Sequence, residues 1–189
     1  MKKIRGWKSK LRRLQNWKEE HIDFDLEFLR VNHVDYIKLF NNLEVEKIPS
    51  WYKKEICVVL TEVLASWKEQ ANLNLNHYYM RLHISEDNIF DSQIMITIED
   101  QMKEYKERFI KCEDAVNSPI WLKELPFRLE PYYSCSIWLE EELNSLETEE
   151  KNSLFKNLIE IKKVPSYDGE IYNEYVIREG TLWCFDIER

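Results

Sequence analysis

The fold is decided by residues 77–98, HYYMRLHISEDNIFDSQIMITI. Apolar side chains occupy alternate positions from residue 78 to 84 and again from 94 to 98, which predicts two half-buried strands. Glu86, Asp87 and Asn88 between them predict a turn. The chain before this stretch follows helical spacing and the chain after it is mostly strand-like, so these residues mark the change from a helical part to a sheet.

Three regions before residue 77 have helical spacing. Residues 1–20 predict a basic amphipathic helix, and residues 24–40 predict a second helix or two short ones. The clearest helix is predicted from Trp51 to Ala71, where apolar side chains recur every three or four residues after Pro49 and Ser50. These helices have apolar faces broad enough to cover one face of a sheet.

Strand signals dominate after residue 128. Residues 129–139 predict a strand, residues 148–161 a short helix, and residues 171–187 a hairpin that turns at Glu179 and Gly180. No repeat or linker divides the chain. The sequence therefore predicts a single α+β domain over residues 1–189, with N-terminal amphipathic helices packed on one face of a mostly antiparallel sheet of about five strands and a C-terminal β-hairpin.

Charge is distributed unevenly along the 189 residues. The chain has 27 Lys and Arg against 35 Asp and Glu, a formal net charge of −8, yet its first 18 residues hold eight basic side chains and no acidic one. No apolar run is long enough for a membrane span, and the basic N-terminus lacks the apolar stretch of a signal peptide. The four scattered cysteines predict free thiols. We therefore expect a cytoplasmic protein that makes no membrane contact.

Sequence motifs of the common enzyme classes are absent. The chain has no phosphate-binding glycine loop, no nucleophile elbow, no zincin helix and no zinc-ligand spacing, and it has only three glycines. Acidic residues 19–27 alternate with apolar ones, which is more typical of a solvated link than of a cation site. We therefore expect no cofactor and no metal, and we favour a protein that is not an enzyme.

The polar face of the predicted sheet is the place where we expect a site, if the chain has one. Imidazole, guanidinium, phenol and carboxylate groups share that face, and such a set is typical of a binding surface or of general acid–base catalysis. A solvated face is the simpler interpretation. The candidate binding residues are Tyr79, Arg81, His83, Gln93, Glu99, Arg128 and Glu130.

The basic N-terminal helix supports two interpretations. Its cations could contact nucleic-acid phosphates while Trp7 and Trp17 stack on bases. Alternatively, its apolar face docks on the core and the cations solvate its outer side, which we favour because the whole chain is acidic. The candidate nucleic-acid contacts are Lys3, Arg5, Lys10, Arg12 and Arg13.

Several short segments resemble a family of small single-domain proteins of Gram-positive bacteria, a domain of unknown function. They are the opening residues 2–6, Arg12-Arg13 with Trp17, the stretch 25–29, and the helix 51–71 with its Ser66-Trp67-Lys68. The resemblance implies a bacterial single-domain protein and assigns no functional residue.

Three functions follow from these observations. The leading one is a protein-binding module of the immunity or antitoxin kind, because acidic surfaces attract basic partners and aromatic side chains anchor interfaces. The second is nucleic-acid association through residues 1–20. The third is an enzyme on the polar sheet face, with His83, Glu99, Arg81 and Arg128 as the residues to test.

Overall fold

In the part of the chain that it describes, the computed structural model combines six α-helices with a sheet. It describes residues 6–39, 48–107, 109–112, 117–123, 125–165 and 169–189. The α-helices are α1 (Trp7–Glu20), α2 (Leu26–Asn32), α3 (Ser50–Asn74), α4 (Gln101–Glu107), α5 (Glu140–Asn144) and α6 (Thr148–Phe155). Two 3₁₀ turns cover Ile89–Asp91 and Ile120–Leu122. The described residues therefore contain the predicted helical N-terminal part.

The sheet is mostly antiparallel and has six strands among the described residues. The strands are β1 (Val34–Lys38), β2 (Tyr79–Ser85), β3 (Gln93–Thr97), β4 (Glu130–Leu139), β5 (Leu158–Pro165) and β6 (Ile171–Glu188). Their order is β1-β3-β2-β6-β4, and β5 pairs with β6 as a C-terminal hairpin. The predicted α+β class with a mostly antiparallel sheet is confirmed.

One face of the sheet packs against α3, as the alternating pattern predicts. Met80, Leu82 and Ile84 of β2 are completely buried there. The residues paired with them in β3 and β6 are also apolar. Helix α3 crosses β2 and β3, and it buries Ile56, Leu60 and other apolar side chains against them. This helix–sheet layer is the main hydrophobic core.

Helix α1 is docked along α3. Leu14 and Trp17 are buried, and Trp7 packs against Trp51 at the start of α3 with ring centroids 5.0 Å apart. At the other end the Trp67 indole donates a hydrogen bond to the His21 carbonyl at 3.0 Å. The apolar face predicted for residues 1–20 is therefore a core face, and the described helix begins at Trp7 after Gly6, whose positive φ of 108° suits glycine.

Three local predictions were wrong. Tyr36 and Ile37 lie in strand β1 rather than in a helix, and Ile161 lies in β5 because α6 already ends at Phe155. Gly180 lies within a continuous β6, so the C-terminal hairpin is formed by β5 and β6 and not by two strands within residues 171–187. Gly169, just before β6, has a positive φ of 88°. The described residues form six strands rather than about five, because β1 and β5 were both missed while the two strands predicted within residues 171–187 are the single strand β6.

The chain is divided into two compact units. The first comprises Met1–Tyr132 together with Leu182–Arg189, and the second comprises Tyr133–Thr181. Strand β6 contributes residues to both units. The single domain expected over residues 1–189 stays a prediction.

Candidate functional site

The polar face of β2 is buried, although its side chains predicted a solvated or binding surface. Tyr79, Arg81 and His83 are each less than a tenth exposed. The cover comes from α4 and from residues 109–112, whose Phe109 ring lies 5.9 Å from the His83 ring and 4.7 Å from the Arg81 guanidinium carbon. Strand β2 therefore lies in the interior on both of its faces.

Arg81 enters this interior with its own counter-ion. Asp186 lies directly opposite in β6, and its carboxylate accepts two hydrogen bonds from Arg81, from Nε and from Nη2, each at 2.7 Å. Burial lowers the pKa of Arg81, but the hydrogen bonds and the charge of Asp186 raise it by more, so the guanidinium stays protonated. The Tyr132 ring lies 4.9 Å from its central carbon. Arg81 thus cross-links β2 and β6 from a buried position, while the Asp186 side chain remains 36% exposed.

His83 is neutral in the folded chain. Burial lowers its pKa from 6.5 to about 3, and the positive charge of Arg81 contributes to the fall. Its Nδ1 has no hydrogen-bond partner among the described residues, and neither does Arg81 Nη1 or the hydroxyl of Thr97 in β3. His83 is therefore an enclosed, uncharged imidazole, and the enzyme alternative on this face stays a prediction.

The other predicted site residues do not all join this layer. Gln93 is half-buried beside His83, in register between Lys38 and His83. Glu99 is exposed and pairs with His33, whose Nε2 lies 3.2 Å from the carboxylate. Glu130 pairs with Lys111 at the surface. Arg128 lies in the wall of a pocket in the first unit. The seven residues therefore occupy several places rather than one site.

The predicted nucleic-acid contacts lie partly outside the described residues, namely Lys3 and Arg5. Lys10 is half-buried, and its ammonium nitrogen lies 4.4 Å from the centre of the Trp7 ring. Arg12 and Arg13 are exposed on α1. The helix therefore presents cations outward while its apolar face is docked.

Sequence reasoning missed an apolar surface in the second unit. Ile161 of β5 is 51% exposed and Ile171 of β6 is 70% exposed. We call the face of the β5–β6 pair that carries Ile161 and Ile171 the hairpin surface. Residues 158–161 were predicted to end a helix, so the alternation that exposes Ile161 was not recognised.

Comparison of the chain with protein-family models, with curated proteins and with solved structures finds no match. The resemblance to a Gram-positive family stays a prediction. Within the described residues, no helix has both the length and the apolar character needed to cross a bilayer. No group of three metal-ligating side chains occurs in that part of the chain either.

Burial of a neutral His83 predicts a pH-dependent stability. Its pKa falls from 6.5 to about 3 on folding, so the unfolded chain binds this proton more tightly between those pH values. The free energy of unfolding should therefore fall as the pH drops from 6.5 towards 3, by on the order of 1 kcal/mol per pH unit from this residue. In urea unfolding at several pH values, His83→Gln should flatten this dependence.

His77→Gln is the matched control, because His77 is exposed just before β2. The free energy of unfolding of this variant should depend on pH as that of the wild type does. If the free energy of unfolding falls equally with pH in wild type and in His83→Gln, then His83 is protonated in the folded chain and water reaches the layer around it.

Proposed function

We propose that this chain is a non-catalytic binding protein that associates stoichiometrically with a protein partner through the hairpin surface. The observation that carries the proposal is the exposure of two large aliphatic side chains, Ile161 and Ile171, on paired strands. Exposed apolar groups that are held on a rigid strand pair lose little conformational entropy when a partner covers them. The proposal agrees with the function expected from the acidic, aromatic-rich composition.

The strand register puts the apolar groups on a common face. Pro165 lies opposite Ile171, and Ile161 lies four residues before Pro165, so the three side chains point to the same side of the β5–β6 pair. Tyr175 lies opposite Ile161 and is also on that side. This face presents a short apolar row with Lys163 and Asn173 between its ends. The face therefore offers two apolar contact points separated by a polar pair, a mixture of apolar and polar area that is common in protein interfaces.

Charge favours a basic partner. Residues 133–181 contain eleven acidic and five basic side chains. Many of the acids are exposed on the two helices of this unit, among them Glu141 and Glu149. An acidic surface attracts a basic protein at long range, and apolar anchors then slow its dissociation. A nuclease-like or other cationic protein fits this chemistry, which is the partner class of an immunity or antitoxin protein.

Acidic substitutions in the hairpin surface should abolish partner capture. Tagged wild-type chain should retain one basic protein in a 1:1 or 2:1 ratio from native-host lysate, and the complex should survive moderate salt. The double variant Ile161→Asp/Ile171→Asp should lose that protein, because each introduced carboxylate would have to give up its hydration when the partner binds. Affinity purification followed by mass spectrometry measures this.

Ile120→Asp is the matched control, since Ile120 is an isoleucine of the first unit that is even more exposed, at 80%. Its thermal unfolding and its partner capture should both match those of the wild type. Retention of the partner by the double variant would refute the proposed surface, and failure to retain any protein under all growth conditions would refute the proposed function.

Nucleic-acid association is the second candidate, and one observation favours it. The outward cations of α1 lie next to an aromatic cluster in which Trp51 remains 43% exposed beside Trp7 and Tyr52. Stacking on an exposed indole combined with phosphate contacts is a common mode of single-strand binding. Because Leu14 and Trp17 are core residues, deleting residues 1–20 would damage the fold, and surface charges have to be changed instead.

Charge reversal of Lys8 and Arg12 tests this candidate, because both are exposed on α1. If the candidate is correct, wild-type chain binds a single-stranded oligonucleotide in fluorescence anisotropy at about 50 mM salt and loses most of its affinity at about 200 mM. Lys8→Glu/Arg12→Glu should weaken binding by roughly tenfold or more. Lys68→Glu on the exposed side of α3 should not. Equal binding by both variants would exclude α1 as the contact.

A further inference from the structure

A pocket in the first unit lies between the 3₁₀ turn Ile120–Leu122, the start of β4 and the side chain of Trp183. Its volume is about 450 Å³. That volume falls in the range of small-molecule sites in proteins, and it suits a compact ligand of one or two rings.

The floor of the pocket is apolar and fixed. Leu122, Leu129 and Trp183 are buried core residues that also line the pocket. The Trp183 indole nitrogen donates a hydrogen bond to Glu86 at 2.9 Å, so its polar atom is already satisfied. Phe127 lines one wall and is held by stacking on Phe185, with ring centroids 4.2 Å apart. The floor and this wall therefore offer aromatic and aliphatic surface without an unmet polar group.

The charged groups of the lining are cationic. Lys123 and Arg128 both border the pocket and are exposed, and neither forms an ion pair with another described residue. Lys123 and Arg128 are the charged side chains of the described lining, in a chain whose net charge is −8. They can engage an anion without first breaking an internal salt bridge.

We propose that this pocket binds a small organic anion with a flat apolar body, such as an aromatic carboxylate. The ring packs on Leu122, Phe127 and Trp183, and the carboxylate faces Lys123 and Arg128 at the rim. Ser118 at the border donates only a long hydrogen bond of 3.5 Å to the Pro119 carbonyl, so its hydroxyl can turn and donate to the carboxylate instead. This site is distinct from the hairpin surface, and it needs no protein partner to be occupied.

The test compares two ligands that differ in charge alone. Naphthaleneacetate and its neutral amide are titrated into the full chain by isothermal calorimetry. The acid should bind wild type at least about tenfold more tightly than the amide, since only the acid pairs with the two cations. Lys123→Gln/Arg128→Gln should abolish this preference while leaving weak binding of the amide intact.

Two further variants make the result specific to the pocket. Lys68→Gln removes one positive charge elsewhere on the exposed surface, and it should bind the acid as wild type does. Ser118→Phe fills the pocket border and should weaken the binding of both ligands. Equal binding of acid and amide, unchanged binding by the double variant, or no binding of the acid at millimolar concentration would each overturn the proposal. All of these results are independent of partner capture by Ile161 and Ile171.

Discussion

Arg81 of β2 and Asp186 of β6 form a two-pronged ion pair on the side of the sheet where an antiparallel fold often meets water. A buried guanidinium without a counter-ion would cost several kcal/mol, so β6 has to lie beside β2 in the register that places Asp186 opposite Arg81. The rings of Phe109 and Tyr132 then cover the guanidinium. This pairing lets the central strand be buried on both faces although only one of them is apolar.

The alternation in β2 and β3 gave a correct prediction of which side chains share a face, because a strand has only two sides. It could not show that the polar side is covered, since α4, the covering residues 109–112 and the partner Asp186 are distant in sequence. Asp186 could have been suspected from the alternation of Trp183, Phe185 and Ile187, which leaves it on the polar side. The order of the strands, which decides what lies opposite Arg81, leaves no local signal.

The errors elsewhere have similar causes. Tyr36 and Ile37 were assigned to a helix because short apolar pairs suit either structure, and pairing with β3 decides in favour of a strand. Gly180 was assigned to a turn because glycine often supplies positive φ, yet pairing with neighbouring strands keeps β6 extended through it. The hairpin surface was missed with β5, so its two exposed isoleucines became visible only in the folded chain.

The proposed functions depend largely on features that the predicted site did not include. Tyr79, Arg81 and His83 of the predicted binding face lie in the interior, and Arg128 alone of that set borders the pocket. The surfaces that offer unmet binding capacity are the apolar hairpin surface and that pocket. The two features lie in different units and differ in chemistry. Apolar anchors amid acidic groups suit a basic protein, and paired cations above an aromatic floor suit a small anion.

Burial of the polar sheet face is the central claim, and thiol labelling tests it most directly. Cys184 lies on that face beside His83, Cys57 lies in the helix–sheet core, and Cys135 is only half-buried. Burial also raises the pKa of both Cys184 and Cys57 to about 12, which further suppresses the reactive thiolate. In proteins that each retain one of these cysteines, Cys184 should label as slowly as Cys57, and roughly 100-fold or more slower than Cys135. Labelling of Cys184 at the rate of Cys135 would show that the face is open to solvent and would contradict the account.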